Sequence, residues 1–349
     1  MNYWYFEPFL SNLSRLGDDM SCQWQLSPEQ QYYLRDHIFS GQCLVPAAIS
    51  AELMSQVAIM ALALKPTDAI GVELVDFNIR RPLAFDPSAD LTVFADAKLV
   101  APLAKTDLLG DNSHELKVEL KRNYYDDKGK CLRQGVLVAS ARVKVSLTQV
   151  KAKPSHGPDC SPNWDHYHFS QAEYYQLFNP THGRLFQSLT GRFALAPDNL
   201  SLISEFNLQT TEADYADALP SEEFAFALGP LALDSVLQAC VLCCVQIESQ
   251  SSEHFFSKLP VGLSQVQRYQ PWRKNENYRT LVQSLSVDDT TQTLRAWVLD
   301  ETQQLVAYID KIKLHRAPNE QRVACHVHDH YRHHRCEQAP FAKVLEALC

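Results

Sequence analysis

The segment that begins at Pro46 constrains the chain more than any other. From Ala47 to Leu64 it is apolar on nearly every side, with Ile49, Leu53, Met54, Val57 and Ile59 spread around the helical circuit. A helix over Ile49 to Leu64 therefore has no wet face and must be wrapped by protein. Proline suits its first position, where φ is preset and a missing N–H costs nothing. Upstream, His37 stands just before a turn that contains Gly41. Helix N-terminal amides facing an imidazole make an arrangement suited to a thioester or carbonyl group.

A second stretch echoes the first. Pro230 opens another apolar run that continues through Val241, Leu242, Cys243, Cys244, Val245 and Ile247. Here the polar groups lie on the helix itself, because Asp234 and Gln238 are four residues apart and share one face. One element carries a base and the other an acid, which points to a duplicated fold with a single composite site.

Strand signals follow each helix. In the first half they cover Ile70 to Phe77, Leu91 to Val100, Glu115 to Tyr125 and Gly135 to Leu147, with a short one at Trp24 to Ser27. Ala139, Ala141, Val143 and Val145 alternate with polar residues, as a strand with one buried face requires. Asp126 to Lys130 reads as a hairpin turn in which Gly129 supplies positive φ. In the second half, Gln171 to Phe178 reads as helix, and strands are expected at 192–195, 200–208, 261–269, 278–287, 293–299 and 304–314. A buried helix followed by antiparallel strands, twice over, is an α+β pattern. The expected division is an N-terminal lobe at 1–150, a proline-rich linker at 151–164, a C-terminal lobe at 165–316 and a His-rich tail at 317–349.

A chain of 349 residues can bury one large core or two ordinary ones. With 46% hydrophobic and 21% charged residues it has the balance of a globular protein. A formal charge of −9 without a basic stripe argues against nucleic acid and against anionic membrane. Met1 to Glu7 lacks the basic start of a secretory signal and no apolar run is read as reaching membrane-spanning length, so the expected location is the cytoplasm. Cys240, Cys243 and Cys244 fall inside an apolar helix and read as small hydrophobes. The cluster from Cys325 to Cys336 holds metal-ligating side chains, but its spacing matches no structural zinc pattern, so it is read as a solvated polar tail and no metal is assigned. Phe341 to Leu348 is expected to form a short amphipathic helix.

Taken together, these residues resemble the dehydratase domains of polyketide synthases, the double-hotdog family. His37, Gly41 and Pro46 stand at the spacing of its HxxxGxxxxP signature, and Asp234 with Gln238 matches DxxxQ. Glu7 to Leu10 resembles the family's opening HPLL, Val75 to Phe77 with Pro82 and Leu83 its strand after the first helix, and Leu259 to Val261 its LPF segment. His182, Gly183 and Phe186 are similar to YGPxF, with His182 in the usual place of Tyr and Arg184 in that of Pro. Gly229 stands where a His often precedes the proline. The resemblance covers roughly residues 7 to 316.

The resemblance implies two fused lobes, each a sheet wrapped around a central helix, with the active site in a tunnel between them. It implies a cofactor-free dehydratase acting on 3-hydroxyacyl chains carried by the phosphopantetheine arm of an acyl carrier protein. His37 would take the α-proton and Asp234 would protonate the leaving hydroxyl; Gln238 would hold the acid or the hydroxyl in register. Gly41, or the start of the Pro46 helix, would polarise the thioester carbonyl. Gly41, Pro46, Gln238, His182, Gly183 and Phe186 are thereby the substrate-binding candidates. Other synthase subunits in trans are implied as partners, and a homodimer by analogy with hotdog proteins. The same dyad also serves double-bond isomerisation or product-template-like cyclisation, and the altered YGPxF segment fits a non-catalytic acyl-binding or scaffold subunit. Each residue has a structural reading as well. A histidine before a helix is often simply hydrogen-bonded, an Asp in a helix's first turn complements the dipole, and Tyr174, Tyr175 and Phe186 read as core or tunnel lining.

Overall fold

The structure is a computed structural model. It describes residues 10–16, 19–29, 32–39, 42–64, 71–102, 113–126, 128–146, 163–178, 182–208, 227–249, 254–255, 258–273, 276–317, 323–324, 331, 334–336 and 341. They group into two compact units that are not plain sequence halves. Lobe 1 takes the described residues up to 146 together with 227–230 and 263–269, and lobe 2 takes the rest.

In lobe 1 the strands are β1 (Leu10–Leu16), β2 (Asp19–Leu26), β3 (Ile38–Phe39), β4 (Gln42–Leu44), β5 (Gly71–Ile79), β6 (Ala84–Phe85), β7 (Leu91–Pro102), β8 (Ser113–Tyr125) and β9 (Cys131–Ser146), with helix α1 (Ala47–Ala61) after β4. The main sheet runs β1-β2-β7-β8-β9-β5, antiparallel throughout. One face carries the apolar residues that alternation demands: Trp24, Val93, Val118 and Val143 are all fully buried. Helix α1 packs on this face against β2, β5, β7, β8 and β9. Thirteen of its fifteen residues are buried, so the all-round apolar pattern does mark a wrapped helix.

Pro46 caps α1 with φ −56° and ψ 146°. The helix stops at Ala61, short of the expected Leu64, because Ala63 turns left-handed at φ 57° and the Leu64 N–H returns to the Ile59 carbonyl. The turn after β8 forms as its sequence directs: Gly129 has φ 77°, and the Asp126 carboxylate accepts the N–H groups of Lys128 and Lys130.

Lobe 2 begins with β10 (Asp165–His168) and α2 (Gln171–Phe178), followed by β11 (Leu189–Leu195), β12 (Ser201–Asn207), α3 (Pro230–Ser249), β13 (His254–Phe255), β14 (Lys258–Arg268), β15 (Asn277–Val287), β16 (Thr291–Leu299), β17 (Leu305–Arg316) and β18 (Val323–Ala324). Its main sheet is β17-β16-β15-β12-β11-β10, again antiparallel. Strand β14 gives its first residues to lobe 2 and those from Leu263 onward to lobe 1. Strands β1 and β10 escape the sequence reading, since both are short on the β-branched alternation that reveals a strand.

Two sequence expectations need correction here. By length and composition α3 does reach the span of a membrane, over 19 residues from Pro230 to Glu248, but most of that span is buried within the protein, as befits a core helix. The described tail residues are docked rather than solvated. Tyr331 is buried with its ring 4.7 Å from Tyr167, His334 stacks on Phe169 at 4.1 Å, and the Cys336 N–H donates to the His166 carbonyl on β10. Phe341 is wholly buried and stacks on His166, while the remainder of the expected terminal helix lies outside the described residues, as do the linker's 151–162 and most of the His cluster.

Candidate active site

His37 lies in lobe 1 at the root of a small hairpin. Strands β3 and β4 pair Ile38 with Cys43 and Phe39 with Gln42, and β4 pairs in turn with β6. The Leu44 N–H donates to the His37 carbonyl, and the Val45 N–H to that of Leu83. The ring is thus fixed a few residues ahead of the Pro46 cap. Its Nδ1 is 3.1 Å from the Leu44 carbonyl, which only accepts, so Nδ1 carries the proton of a neutral ring and Nε2 the basic lone pair. Burial pushes the imidazole pKa down to about 4, outweighing that carbonyl, which pulls the other way. Gly41 lies outside the described residues.

Lobe 1 also holds a group that sequence reasoning passed over. Glu52, in the middle of α1, is fully buried. Its carboxylate accepts the backbone N–H groups of Ala227, Leu228 and Gly229 and the side-chain amide of Gln56. Burial raises its pKa, and these donors with the nearby Arg268 guanidinium pull it back toward ionisation. The signal was in the sequence: the one charged residue of a helix with no wet face has to find partners.

In lobe 2, α3 presents Asp234 and Gln238 one turn apart, as their spacing requires, and both are buried. Asp234 sits beyond the helix's first turn, which contains no acid, so it is no dipole complement. Gln238 Nε2 donates to Asp234 Oδ2 at 2.7 Å and to the Phe186 carbonyl at 2.8 Å. Burial pushes the Asp234 pKa up to about 7, against the pull of the Gln238 donor. His182 Nε2 stands 3.6 Å from Asp234 Oδ2, with both side chains nearly enclosed.

The segment after α2 supplies the rest. Gly183 precedes a short 3₁₀ turn at Arg184–Phe186, closed by the Phe186 N–H on the Gly183 carbonyl. The Phe186 ring is buried, and what this residue offers Gln238 is its backbone carbonyl. Tyr175, assigned from sequence to core or tunnel lining, makes polar contacts as well. Its hydroxyl donates to Gln238 Oε1 at 2.9 Å and accepts the Leu189 N–H at 2.9 Å. Alongside, the hydroxyls of Ser188 and Ser235 bond one another. A buried tyrosine needs a partner for its hydroxyl, which was the available clue. Lobe 2 therefore brings together four candidates, Asp234, Gln238, His182 and Phe186, and adds Tyr175.

Residues 155–323 match the family described as polyketide synthase dehydratase N-terminal domain. That segment contains Tyr175, His182, Asp234 and Gln238, and His37 lies outside it. No curated protein matches the chain by sequence. Among solved structures, a dehydratase domain of a trans-AT polyketide synthase from Brevibacillus brevis superposes with TM-score 0.65 at 16% identity, covering 89% of this chain and 98% of its own. The dehydratase domain of PpsC from Mycobacterium tuberculosis, solved with C12:1-CoA, gives TM-score 0.64 at 14% identity, with 89% and 99% covered. That of RzxB from Pseudomonas fluorescens gives 0.60 at 16%, with 88% and 98% covered. The fold is the double hotdog of these domains.

Proposed function

We propose, from the premise that residues 155–323 are polyketide synthase dehydratase sequence on a double-hotdog fold, that this protein removes water from 3-hydroxyacyl thioesters. The observation that carries the reading is the state of Asp234. It is a carboxyl buried on an apolar helix with a pKa of about 7, so near neutrality a large share of it still holds a proton to donate.

The reaction needs an acid and a base, and each lobe offers one in the right protonation state. His37 Nε2 takes the α-proton of the thioester. The C–H electron pair becomes the new Cα=Cβ bond, the bond from C3 to the hydroxyl breaks, and the oxygen leaves as water with the Asp234 proton. The enzyme is then left with protonated His37 and ionised Asp234, and it resets when His37 gives up its proton to solvent and Asp234 takes one from it. In this scheme the Pro46 helix start, with Gly41, polarises the thioester carbonyl as negative charge grows there. His182 and Gly183 line the acid's side of the substrate.

The substrate we assign is an acyl chain on the phosphopantetheine arm of a carrier protein, with other synthase parts as partners. Incubating the protein with a 3-hydroxyacyl carrier thioester and following its mass tests this. Loss of one water, abolished in His37→Ala and Asp234→Asn, is expected. An unchanged mass overturns dehydration, and migration of the double bond in an enoyl thioester, or ring closure of a polyketone thioester, then favours isomerisation or cyclisation.

A further inference from the structure

The hydroxyl of Tyr175 is buried and polarised in one direction. Because the Leu189 N–H donates to its oxygen at 2.9 Å, its own hydrogen points elsewhere. Gln238 Oε1 at 2.9 Å receives it, the Phe186 carbonyl at 3.3 Å being the longer contact. The Gln238 amide is equally constrained from its other end. The Phe186 carbonyl can only accept, so the amide nitrogen must face it, and the nitrogen's second hydrogen then falls on Asp234 Oδ2. Turning the amide over would set two oxygens against one another at Phe186 and leave Oε1 without its tyrosine donor.

The consequence reaches the acid. A neutral carboxyl keeps its proton on one oxygen, and its carbonyl oxygen is the better hydrogen-bond acceptor of the two. We infer that Tyr175 is a positioning residue which, by fixing the Gln238 amide, holds Asp234 Oδ2 as the acceptor and leaves the transferable proton on Oδ1. The inference rests on the dehydratase reading for its role in turnover, but the proton placement stands or falls on its own. His182 Nε2 makes its nearest approach to this carboxyl at Oδ2, 3.6 Å away.

Tyr175→Phe removes one hydroxyl and keeps the ring. The expected result is kcat lowered about ten- to a hundredfold with KM nearly unchanged, as for an acid left poorly aimed. In Gln238→Leu, which has no amide to orient, adding Tyr175→Phe costs nothing further; additive losses overturn the relay. The C=O stretch of protonated Asp234, identified by its absence from Asp234→Asn, moves in Tyr175→Phe, and an unmoved band with full kcat overturns the proposal. Neutron diffraction on the wild-type protein below neutral pH needs no variant: deuterium on Oδ1 and a Tyr175 hydroxyl aimed at Gln238 are expected, and deuterium on Oδ2 refutes it. A wild-type protein that removes no water sinks the dehydratase reading alone, because the infrared and neutron results do not depend on turnover.

Discussion

The Glu52 carboxylate on α1 accepts the backbone N–H of Leu228 at 2.8 Å, a contact between residues 176 apart in the chain. Ala227 and Gly229 donate to the same carboxylate, so one side chain satisfies three consecutive amides just ahead of Pro230. Buried N–H groups without an acceptor are costly, and this acid is their acceptor.

Replacing Glu52 with Ala strands those amides and removes a carboxylate whose charge favours the Arg268 guanidinium. A loss of about 3–5 kcal/mol is expected, the range for breaking a buried polar pair from one side. Glu52→Gln, which keeps an acceptor oxygen, loses less. Urea unfolding of the two variants checks the order, and equal stability of Glu52→Ala and wild type contradicts the assignment.

Asp234 makes stability depend on pH. Its pKa in the folded protein, about 7, lies above its ordinary 3.8, so the folded state binds the proton more tightly than the unfolded one. Stability is full below the ordinary value and declines as pH rises through about 7, by up to about 4 kcal/mol once the carboxyl is ionised. Asp234→Asn removes this dependence. Its melting temperature should match wild type in acid and exceed it in mild alkali.

The rate of the proposed reaction requires neutral His37 together with protonated Asp234. With the imidazole at about 4 and the carboxyl at about 7, kcat/KM rises through the first value and falls through the second. A pH profile with a pantetheine thioester measures this. A profile still rising above neutrality would assign the acid to another group.

Tyr331 ties the tail to lobe 2, with its ring among those of Tyr167, Phe169, Phe178 and Phe193. Tyr331→Ala leaves a cavity in this aromatic cluster and should cost about 3 kcal/mol or more. Thermal unfolding reads the loss, and protease cleavage after residue 317 should become faster.

Much of the architecture was legible because it is periodic. The continuous apolar run after Pro46, the alternation from Ala139 to Val145 and the spacing of Asp234 and Gln238 are short-range patterns, and each fixes a local geometry whatever surrounds it. The buried helices, the antiparallel strands and the shared face of the acid and its amide were therefore determined by sequence alone. Tertiary structure decided what has no period. The Tyr175 hydroxyl meets Gln238 across 63 residues, Glu52 meets three amides far along the chain, and Tyr331 enters an aromatic cluster from a tail that reads as polar. Such contacts arise where buried polar groups must satisfy one another. Which groups meet is set by how distant segments pack, and residue order along the chain does not record that.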